Sequence, residues 1–275
     1  NLMNEWYYWY DEIPDIDPAS DEYKNPGDVL EAIRYDKDTY SYITSYEAFQ
    51  QYYEEGSYTG YGFGYKWDDA DTLRLTFVFD DSPLKEKGIE RGWSLTRVNG
   101  NSVTKDNFNQ LLGGDKHKFT FISPDGNETV SDDFVKEEIS MNTVLKDTVI
   151  EYDGNNVGYL VLKSFINKTP DELTEAFSHF NDKNIDELII DLRYNGGGTL
   201  SASRFLGEFI INEGDVGETY VKISHNEKRE DRDTTHVFGE DSLNISLELK
   251  RTYFLTTQAT ASASEALING MKPYM

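Results

Sequence analysis

The sequence predicts a protein of mixed α+β and α/β architecture that is built from three successive parts. Strand-like runs alternate with amphipathic helices over residues 146–275, which is the pattern of a mostly parallel sheet covered by helices. Short alternating strands separated by turns fill residues 58–145 and indicate a small β-rich module. Residues 1–57 carry two helix-start signals among many aromatic and acidic side chains. We therefore expect a helical N-terminal region (1–57), a β-rich module (58–145) and an α/β core (146–275).

The N-terminal region is expected to be a small helical unit. A turn over Asn25–Asp28 leads into a short helix with Asp28 as its expected N-cap, and Ser45 begins a second helix. The aromatic side chains of this region are expected to pack in a core or between domains rather than to form a ligand platform. They are Trp6, Tyr7, Tyr8, Trp9, Tyr10, Tyr35, Tyr40, Tyr42, Tyr46, Phe49, Tyr52 and Tyr53.

The middle part opens with a segment, Gly60–Tyr65, in which glycine and aromatic residues alternate. The alternating run Leu73–Phe79 predicts a strand, and Ser82 leads a short helix. Further strands are expected near 118–122 and 129–135, joined by a Pro-Asp-Gly-Asn turn.

The C-terminal part contains the strongest helix signal of the chain. Thr169 is the expected N-cap, Pro170 occupies the first helical position, and Glu172 would complete a capping box. Apolar runs at Val157–Phe165 and Asp186–Arg193 predict strands on either side of this helix. Strand, helix and strand in this order indicate a parallel crossover.

Composition excludes several classes of function. The chain of 275 residues has a formal net charge of −25, which disfavours binding to nucleic acid or to anionic lipid. It contains no cysteine, so thiolate nucleophiles and thiolate metal sites are excluded. None of the four histidines has a second ligand at metal-binding spacing, and we expect no metal or organic cofactor. His179 is expected to be structural or solvent-facing.

Two loops could carry chemistry. Asn195–Gly198 follows a buried strand and precedes a helix, which is compatible with a tight turn, a phosphate cradle or an oxyanion hole. A Walker A loop is excluded because no Gly-Lys-Ser/Thr follows, and the glycine spacing fits a dinucleotide site poorly. Residues Ala259–Glu265 place a serine pair before a helix, whose N–H groups could stabilise an oxyanion. Asp191, at the end of its strand, is expected to pair with Arg193 or to cap a loop rather than to act as an acid.

Taken in order, four segments resemble motifs of the C-terminal processing (tail-specific) peptidases, a family of serine–lysine proteases. The resemblance covers nearly the whole chain and is closest to bacterial lipoprotein-type members. The segments are Asp38–Ile43 (similar to DPYSxYL), Asp81–Gly100 (similar to the SPA…AGI…GD…VNG run of the family's PDZ domain), Asp191–Gly198 (similar to DLRxNxGG) and Thr260–Glu265 (similar to SASASE).

This resemblance implies a fold and a site. The module would be PDZ-like, the core would have the ClpP/crotonase-like architecture, and Ser262 would be the nucleophile. The backbone N–H groups of Ala263, Gly197 and Gly198 would form the oxyanion hole. The loop formed by Gly60, Tyr61, Gly62, Phe63 and Gly64 would bind the C-terminal carboxylate of a protein or peptide substrate. The resemblance also implies an extracytoplasmic location, in the periplasm or cell envelope, with a lipid anchor in the full-length form.

The resemblance places the general base, a lysine, about two dozen residues after the serine, with a glutamine beyond it. Both would lie past Met275, so the 275 residues alone are expected to be inactive or nearly so. Lys272 is roughly 15 Å from Ser262 along a helix, beyond side-chain reach. Lys163, from a neighbouring strand, stays open as a substitute base.

Two other functions stay open. One is a pseudo-protease that binds protein C-termini without cleaving them. The other is a surface protein that binds carbohydrate or peptide through its aromatic N-terminus, where Trp6 and Trp9 would form the binding surface.

Overall fold

The computed structural model describes residues 2–239, 245, 247 and 249–275. The helices are α1 Leu2–Trp6, α2 Pro26–Ile33, α3 Tyr46–Phe49, α4 Pro83–Glu86, α5 Phe108–Leu111, α6 Thr169–Asp182, α7 Leu200–Glu208 and α8 Ala263–Met271. The strands are β1 Ser57–Gly60, β2 Phe63–Trp67, β3 Leu73–Val78, β4 Ser94–Val98, β5 Asn101–Ser102, β6 Lys116–Ile122, β7 Glu128–Val135, β8 Glu137–Ser140, β9 Val144–Tyr152, β10 Asn155–Leu162, β11 Glu187–Asp191, β12 Thr219–Ile223, β13 Thr234–Val237 and β14 Arg251–Leu255. Short 3₁₀ segments cover Tyr10–Glu12, Glu213–Asp215, Glu227–Arg232 and Lys272–Tyr274, and Gln50–Glu55 is a π-helix.

The first helix signal was placed on the wrong residue. Asn25 caps α2, since its side chain accepts hydrogen bonds from the N–H groups of Gly27 and Asp28. Pro26 explains the shift, because it disfavours helical backbone at the residue before it and so makes Asn25 the cap. Asp28 instead accepts a hydrogen bond from the N–H of Lys24 at 2.8 Å. Ser45 caps α3 as expected.

The aromatic residues of the N-terminal region divide into a packed group, which includes Tyr52 and Tyr53, and an exposed group, so the expectation of packing in a core or between domains holds in part. Tyr7 is buried, whereas Tyr40, Tyr42 and Tyr46 are each more than 60% exposed. The Tyr7 hydroxyl donates a hydrogen bond to buried Asp38 at 2.8 Å, so these two buried side chains form a polar contact. The exposed aromatic residues are therefore available to line surfaces and cavities.

The β-rich module forms an antiparallel sheet of order β2-β3-β4-β6-β7, with β5 paired to β4. Inward-facing aromatic and aliphatic side chains, with Phe119 and Phe121 at the centre, fill its core. The strands that enter and leave the module, β1 and β8, pair with each other from Ser57↔Ser140 to Gly60↔Glu137. The chain enters and leaves the module through this two-stranded ribbon, which we call the neck.

The C-terminal part is an α/β unit whose sheet has the order β14-β11-β10-β9. The β10–β11 and β11–β14 pairs are parallel and the β9–β10 pair is antiparallel, so the sheet is mostly parallel as predicted. Side chains from α6, α7 and α8 pack with the sheet in one continuous core that includes Phe177, Leu206 and Leu267. The carboxyl ends of β11 and β14 therefore meet at one edge, where the two candidate loops lie.

The capping box expected at α6 is absent. Thr169 lies inside the helix, and its hydroxyl donates to the carbonyl of Ser164. The Glu172 carboxylate instead accepts from the N–H of Thr143 at 2.6 Å and from the N–H of Val144 at 2.8 Å. Glu172 thus ties the helix to the start of β9 rather than capping its own backbone.

Polar contacts join the parts of the chain. Buried Asp191 of the core accepts a hydrogen bond from Arg91 of the β-rich module at 3.1 Å. The Asn226 side chain donates to the carbonyls of Glu5 and Tyr7, which ties the N-terminal segment to the core. Within the part of the chain described, no helix is long and apolar enough to cross a membrane.

Candidate active site

Ser262 lies between β14 and α8 in an unusual backbone conformation. Its φ is +56° and its ψ is −118°, a region that non-glycine residues rarely occupy. The N–H of Ser262 donates a hydrogen bond to the Glu265 carboxylate at 2.9 Å, and Ser262 is exposed. Strained backbone of this kind is typical of functional sites. In this protein the conformation places the Ser262 hydroxyl at the N-terminus of the nine-residue helix α8.

The two serines of the loop differ in their surroundings. Ser264 is fully buried, and its hydroxyl donates to the carbonyl of Asn195 at 3.2 Å. A reacting substrate can reach Ser262 but not Ser264. The structure therefore separates the pair in a way that the sequence pattern could not.

Asn195 organises the loop beside Ser262. Its side chain donates to the carbonyl of Leu162 at 3.0 Å and accepts from the N–H of Gly197 at 2.8 Å. Its carbonyl accepts from the N–H of Ala261 and from the Ser264 hydroxyl. One buried amide thus joins β10, the glycine turn and the serine loop. The sequence marked Asn195 as part of a candidate loop but did not predict a role for its side chain.

Gly197 lies directly against the serine. Its φ is +100°, and a Cβ built on it would be 2.8 Å from the Cβ of Ser262, the carbonyl oxygen of Ala261 and the nitrogen of Ala263. Gly198 has a φ of +142°, and a Cβ there would be 1.9 Å from the carbonyl oxygen of Phe165. Both positions require glycine because the backbones approach so closely.

The three N–H groups expected at an oxyanion hole differ in their availability. The Gly197 N–H is already bonded to Asn195. The hydrogen bonds among the described residues do not use the N–H of Gly198 or that of Ala263. Ala263 is the first residue of α8, where helical N–H groups have no intrahelical partner. The loop can therefore offer two donors close to Ser262.

No histidine forms a triad with Ser262 among the described residues. His179 is half-exposed and pairs with Asp147 at 2.7 Å, as expected of a structural residue, and His225 pairs with Asp233. Buried His117 contacts the hydroxyl of Tyr61. Across residues 2–239 and 249–275, no cluster of three or more His, Asp or Glu side chains could hold a metal ion.

The ammonium groups of the two lysines considered as bases have other contacts. The Lys272 ammonium donates to the Asn269 side chain at 2.8 Å. The Lys163 ammonium lies 4.8 Å from the centre of the Phe77 ring. Neither lysine forms a hydrogen bond with Ser262.

Asp191 is a structural residue, as its sequence position indicated. Arg193 donates to it from its backbone N–H and its guanidinium, and the Tyr159 hydroxyl donates at 2.8 Å. Burial alone would raise the pKa of Asp191, but the hydrogen bonds from Arg193 and Tyr159 hold it below its ordinary value. A carboxylate this firmly ionised is a poor proton donor.

The glycine-rich loop of the β-rich module lies at the neck. Gly60 ends β1, while Phe63 and Gly64 belong to β2. The Tyr61 ring packs edge-on against Phe119, and the N–H of Gly62 donates to the Tyr58 hydroxyl at 3.0 Å. The loop thus offers backbone N–H groups, one of which already has a partner from the chain itself.

A cavity of 540 Å³ adjoins the glycine turn. Its floor is formed by Gly196, Gly197, Lys163 and Ser164. Its walls come from the N-terminal region and the neck, and they are Tyr42, Thr44, Ala48, Phe49, Gln51, Tyr52, Tyr53, Tyr58 and Thr59. Four of the aromatic residues that were expected to pack in a core or between domains therefore line a cavity beside the glycine turn; they are Tyr42, Phe49, Tyr52 and Tyr53.

Comparison with known proteins identifies the family. The profile of peptidase family S41 matches residues 156–275, and that of the peptidase S41 N-terminal domain matches residues 1–42. A protein of Staphylococcus epidermidis strain ATCC 35984, named "Probable CtpA-like serine protease", is 26% identical over 248 residues, which cover 86% of this chain and 47% of that protein. A protein of the same name from Staphylococcus aureus strain COL is 24% identical over 245 residues, covering 86% of this chain and 46% of that protein.

The fold leads to the same family. A crystal structure of a protein from Bacteroides fragilis NCTC 9343, assigned to the S41 proteases, superposes with a TM-score of 0.78. The identity is 25%, and the match covers all of this chain and 75% of that one. The chain spans about half the length of the curated relatives it matches. Two family profiles that together cover more than half of the chain, and a fold match over all of it, show that the chain belongs to peptidase family S41, a family of serine peptidases.

Proposed function

We propose that this chain carries the nucleophile and oxyanion hole of a serine endopeptidase that processes proteins recognised by their C-termini. The observation that carries the proposal is the placement of Ser262. Its exposed side chain lies at the N-terminus of α8, directly against the glycine turn of a family S41 protein.

The oxyanion hole in this proposal is formed by the N–H groups of Ala263 and Gly198. Both have no partner among the described residues, and Ala263 N–H belongs to the positive end of the α8 dipole. Gly197 serves a different purpose, because its own N–H is bonded to Asn195 and its missing side chain lets the turn reach Ser262. Fixed donors of this kind stabilise the charge that develops on the peptide carbonyl oxygen.

The chemical steps follow from these groups. A neutral lysine removes the proton of the Ser262 hydroxyl, and the oxygen attacks the substrate carbonyl carbon to give a tetrahedral intermediate. The protonated lysine then gives its proton to the leaving amine, and water hydrolyses the acyl-enzyme. The family resemblance places this lysine after Met275. The 275 residues alone should therefore cleave slowly or not at all.

The β-rich module is the proposed PDZ-like domain, attached to a core of ClpP/crotonase-like architecture. In this proposal the loop from Gly60 to Gly64 binds the terminal carboxylate of a substrate through its backbone N–H groups. Support comes from the antiparallel sheet and from the Gly62 N–H, which holds an oxygen of Tyr58 in the structure. A carboxylate oxygen would replace that hydroxyl.

The proposed substrates are proteins or peptides with free C-termini outside the cytoplasm. The location and a lipid anchor in the full-length form rest on the resemblance to lipoprotein-type members. The net charge of −25 is consistent with the absence of nucleic acid among the partners.

A second function is favoured by one observation. No basic side chain among the described residues bonds to Ser262, which is also what a non-catalytic binder of protein C-termini would show. Such a protein would bind peptides through the PDZ-like module and release them uncleaved.

Cleavage of an unfolded protein separates the two functions. Full-length protein and the 1–275 fragment would each be incubated with reduced, unfolded α-lactalbumin, and products would be identified by mass spectrometry. The proposal predicts cleavage by the full-length protein and little or none by the fragment. Binding of a free-acid peptide without cleavage by the full-length protein would establish the pseudo-protease instead.

A further inference from the structure

We propose that the cavity beside the glycine turn is a substrate subsite that binds a carboxylate through the ammonium group of Lys163. The inference deepens the proposed peptidase function and rests on it. It adds a binding residue in the core, separate from the glycine-rich loop of the β-rich module.

The position of the cavity connects it with the candidate nucleophile. Gly197 forms part of the cavity floor, and the position of its missing Cβ is 2.8 Å from the Cβ of Ser262. A peptide that reacts at Ser262 must pass this glycine, so one of its neighbouring groups would enter the cavity. A volume of 540 Å³ is within the range of sites that enclose small ligands.

Lys163 is a largely buried cation without an anionic partner among the described residues. Its backbone is fixed by a hydrogen bond from its N–H to the carbonyl of Thr143, and its ammonium lies over the Phe77 ring. No carboxylate of the described residues lies within ion-pair distance of it. Lys168, five residues later, is by contrast paired with Glu172 at 3.5 Å. Burial lowers the pKa of Lys163, which indicates how poorly the site solvates a lone ammonium.

Two other polar groups of the cavity lining, the hydroxyls of Ser164 and Tyr58, are already hydrogen-bonded. The Ser164 hydroxyl donates to the carbonyl of Gly197 at 3.3 Å. The Tyr58 hydroxyl accepts from the N–H of Gly62, and burial raises the pKa of this tyrosine to about 12, so it stays neutral. Among the residues that line the cavity, Lys163 is therefore the group that offers charge to a ligand.

The residues of the cavity walls indicate which chemical group would accompany the carboxylate in a ligand. The Tyr53 ring contacts both the Phe49 ring and the Tyr52 ring, with ring centres about 5 Å apart, and Ala48 and Tyr42 also line the cavity. A carboxylate attached to an apolar or aromatic group fits this combination, because the ring surfaces exclude water while the ammonium neutralises the charge. The carboxylate can be the chain terminus of the peptide or an acidic side chain.

Peptide binding to the full-length protein carrying Ser262→Ala tests the inference without any need for cleavage. Three probes would be compared by isothermal titration calorimetry: acetyl-Ala-Ala-Phe as the free acid, the same peptide as the amide, and acetyl-Ala-Glu-Phe-amide. We expect the free acid or the glutamate peptide to bind about tenfold more tightly than the neutral amide. Whichever acid binds tightly identifies the source of the carboxylate.

Substitution of Lys163 then tests whether its ammonium group causes the preference for the acids. Lys163→Met should weaken binding of the preferred acid about tenfold and leave binding of the neutral amide unchanged, whereas Lys163→Arg should retain most of the affinity; any acid preference that the Gly60–Gly64 loop confers is the same in both variants. Lys168→Met is the matched control and should leave the preference intact. Equal binding of all three probes by the parent protein, or an affinity for the preferred acid that Lys163→Met leaves unchanged, would overturn the inference. Thermal melts of each variant confirm that it is folded, and cleavage by the wild-type protein tests the peptidase function separately.

Discussion

The residues around Ser262 are held by backbone contacts rather than by side-chain packing. Gly197 lies against the serine, and Gly198 lies against Phe165. Asn195 accepts hydrogen bonds from the N–H of Gly197 in the glycine turn and from the N–H of Ala261 in the serine loop. The placement of the Ser262 hydroxyl therefore depends on the absence of side chains at two neighbouring positions.

Substitution of Gly197 by alanine should abolish activity in the full-length protein. The new methyl group would collide with the Ser262 Cβ and with backbone atoms of the serine loop, none of which can move without displacing Ser262, the proposed nucleophile. We expect a loss of about 10²-fold or more in kcat/KM. Gly196→Ala is the control, because a Cβ at that position meets nothing within 4 Å. Equal activity of the two variants would contradict this description of the site.

Asp38 should make the N-terminal region sensitive to acid. Burial alone would raise the pKa of Asp38, but hydrogen bonds from Ser41, Tyr40 and Tyr7 lower it to about 2 from an ordinary value of 3.8. A lowered pKa means that the carboxylate stabilises the folded state above about pH 4 and that this contribution is lost as pH falls towards 2.

The measurement is urea unfolding between pH 7 and pH 2.5. The stability difference between wild type and Asp38→Asn should shrink as the pH falls through this window. Asp36→Asn, at an exposed position two residues earlier, should behave like wild type throughout. A difference that does not change with pH would show that Asp38 acts only through its shape.

The sequence indicated which two loops form the candidate site, but it did not indicate which atoms of those loops are exposed. The serine pair and the glycine turn were both identified by their position after strands. Exposure of Ser262, burial of Ser264 and the occupied N–H of Gly197 arise from contacts between loops about 65 residues apart along the chain. No local pattern encodes such contacts.

The helices and strands show how tertiary contacts override local signals. The sequence Thr169-Pro170-Asp171-Glu172 reads as a capping box, yet the Glu172 carboxylate bonds to the backbone of β9. The N–H groups of Thr143 and Val144 need an acceptor, and Glu172 is the one that α6 brings to them. Strands with strict alternation, such as Leu73–Phe79, were predicted to within one residue because their pattern is local.

Removal of the Glu172 carboxylate should destabilise the core. Glu172→Ala would leave two partly buried N–H groups without their acceptor, which should cost about 2 kcal/mol of unfolding free energy. Glu175→Ala, on the exposed side of α6, should change stability by less than about 0.5 kcal/mol. Chemical denaturation measures both. Similar effects of the two substitutions would show that the contact with β9 contributes nothing.

The whole molecule is an α/β core to which the N-terminal region and the β-rich module are attached by polar contacts and by an apolar cluster that includes Phe79, Ile139 and Ile166. The Arg91–Asp191 pair and the β1–β8 ribbon hold the module, and Asn226 holds the N-terminal segment. The order of the parts could be predicted from composition and periodicity. The way the N-terminal aromatic residues cover a cavity on the core could not, because it depends on how separate parts meet.

Loss of Arg91 should loosen the module. Asp191 would keep its bonds to Arg193 and Tyr159, so the core should lose only about 1–2 kcal/mol. The ribbon at the neck should become accessible to endoproteinase Glu-C, which cleaves after Glu137 and Glu138 of β8, giving faster cleavage in Arg91→Met than in wild type. Arg97→Met, which removes an exposed pair with Glu128 on the same module, is the control. Identical cleavage rates in both variants would show that Arg91 does not hold the module.

The central claim is that Ser262 is the nucleophile, and a comparison of Ser262→Ala with Ser264→Ala in the full-length protein tests it most directly. Turnover of an unfolded protein substrate would be measured for both variants and for wild type. We predict that Ser262→Ala lowers kcat by about 10⁴-fold or more, as loss of a serine nucleophile does. Ser264→Ala should lower it less than about tenfold, since it removes one buried hydrogen bond worth about 1 kcal/mol. Retention of activity by Ser262→Ala, with loss in Ser264→Ala, would contradict the account.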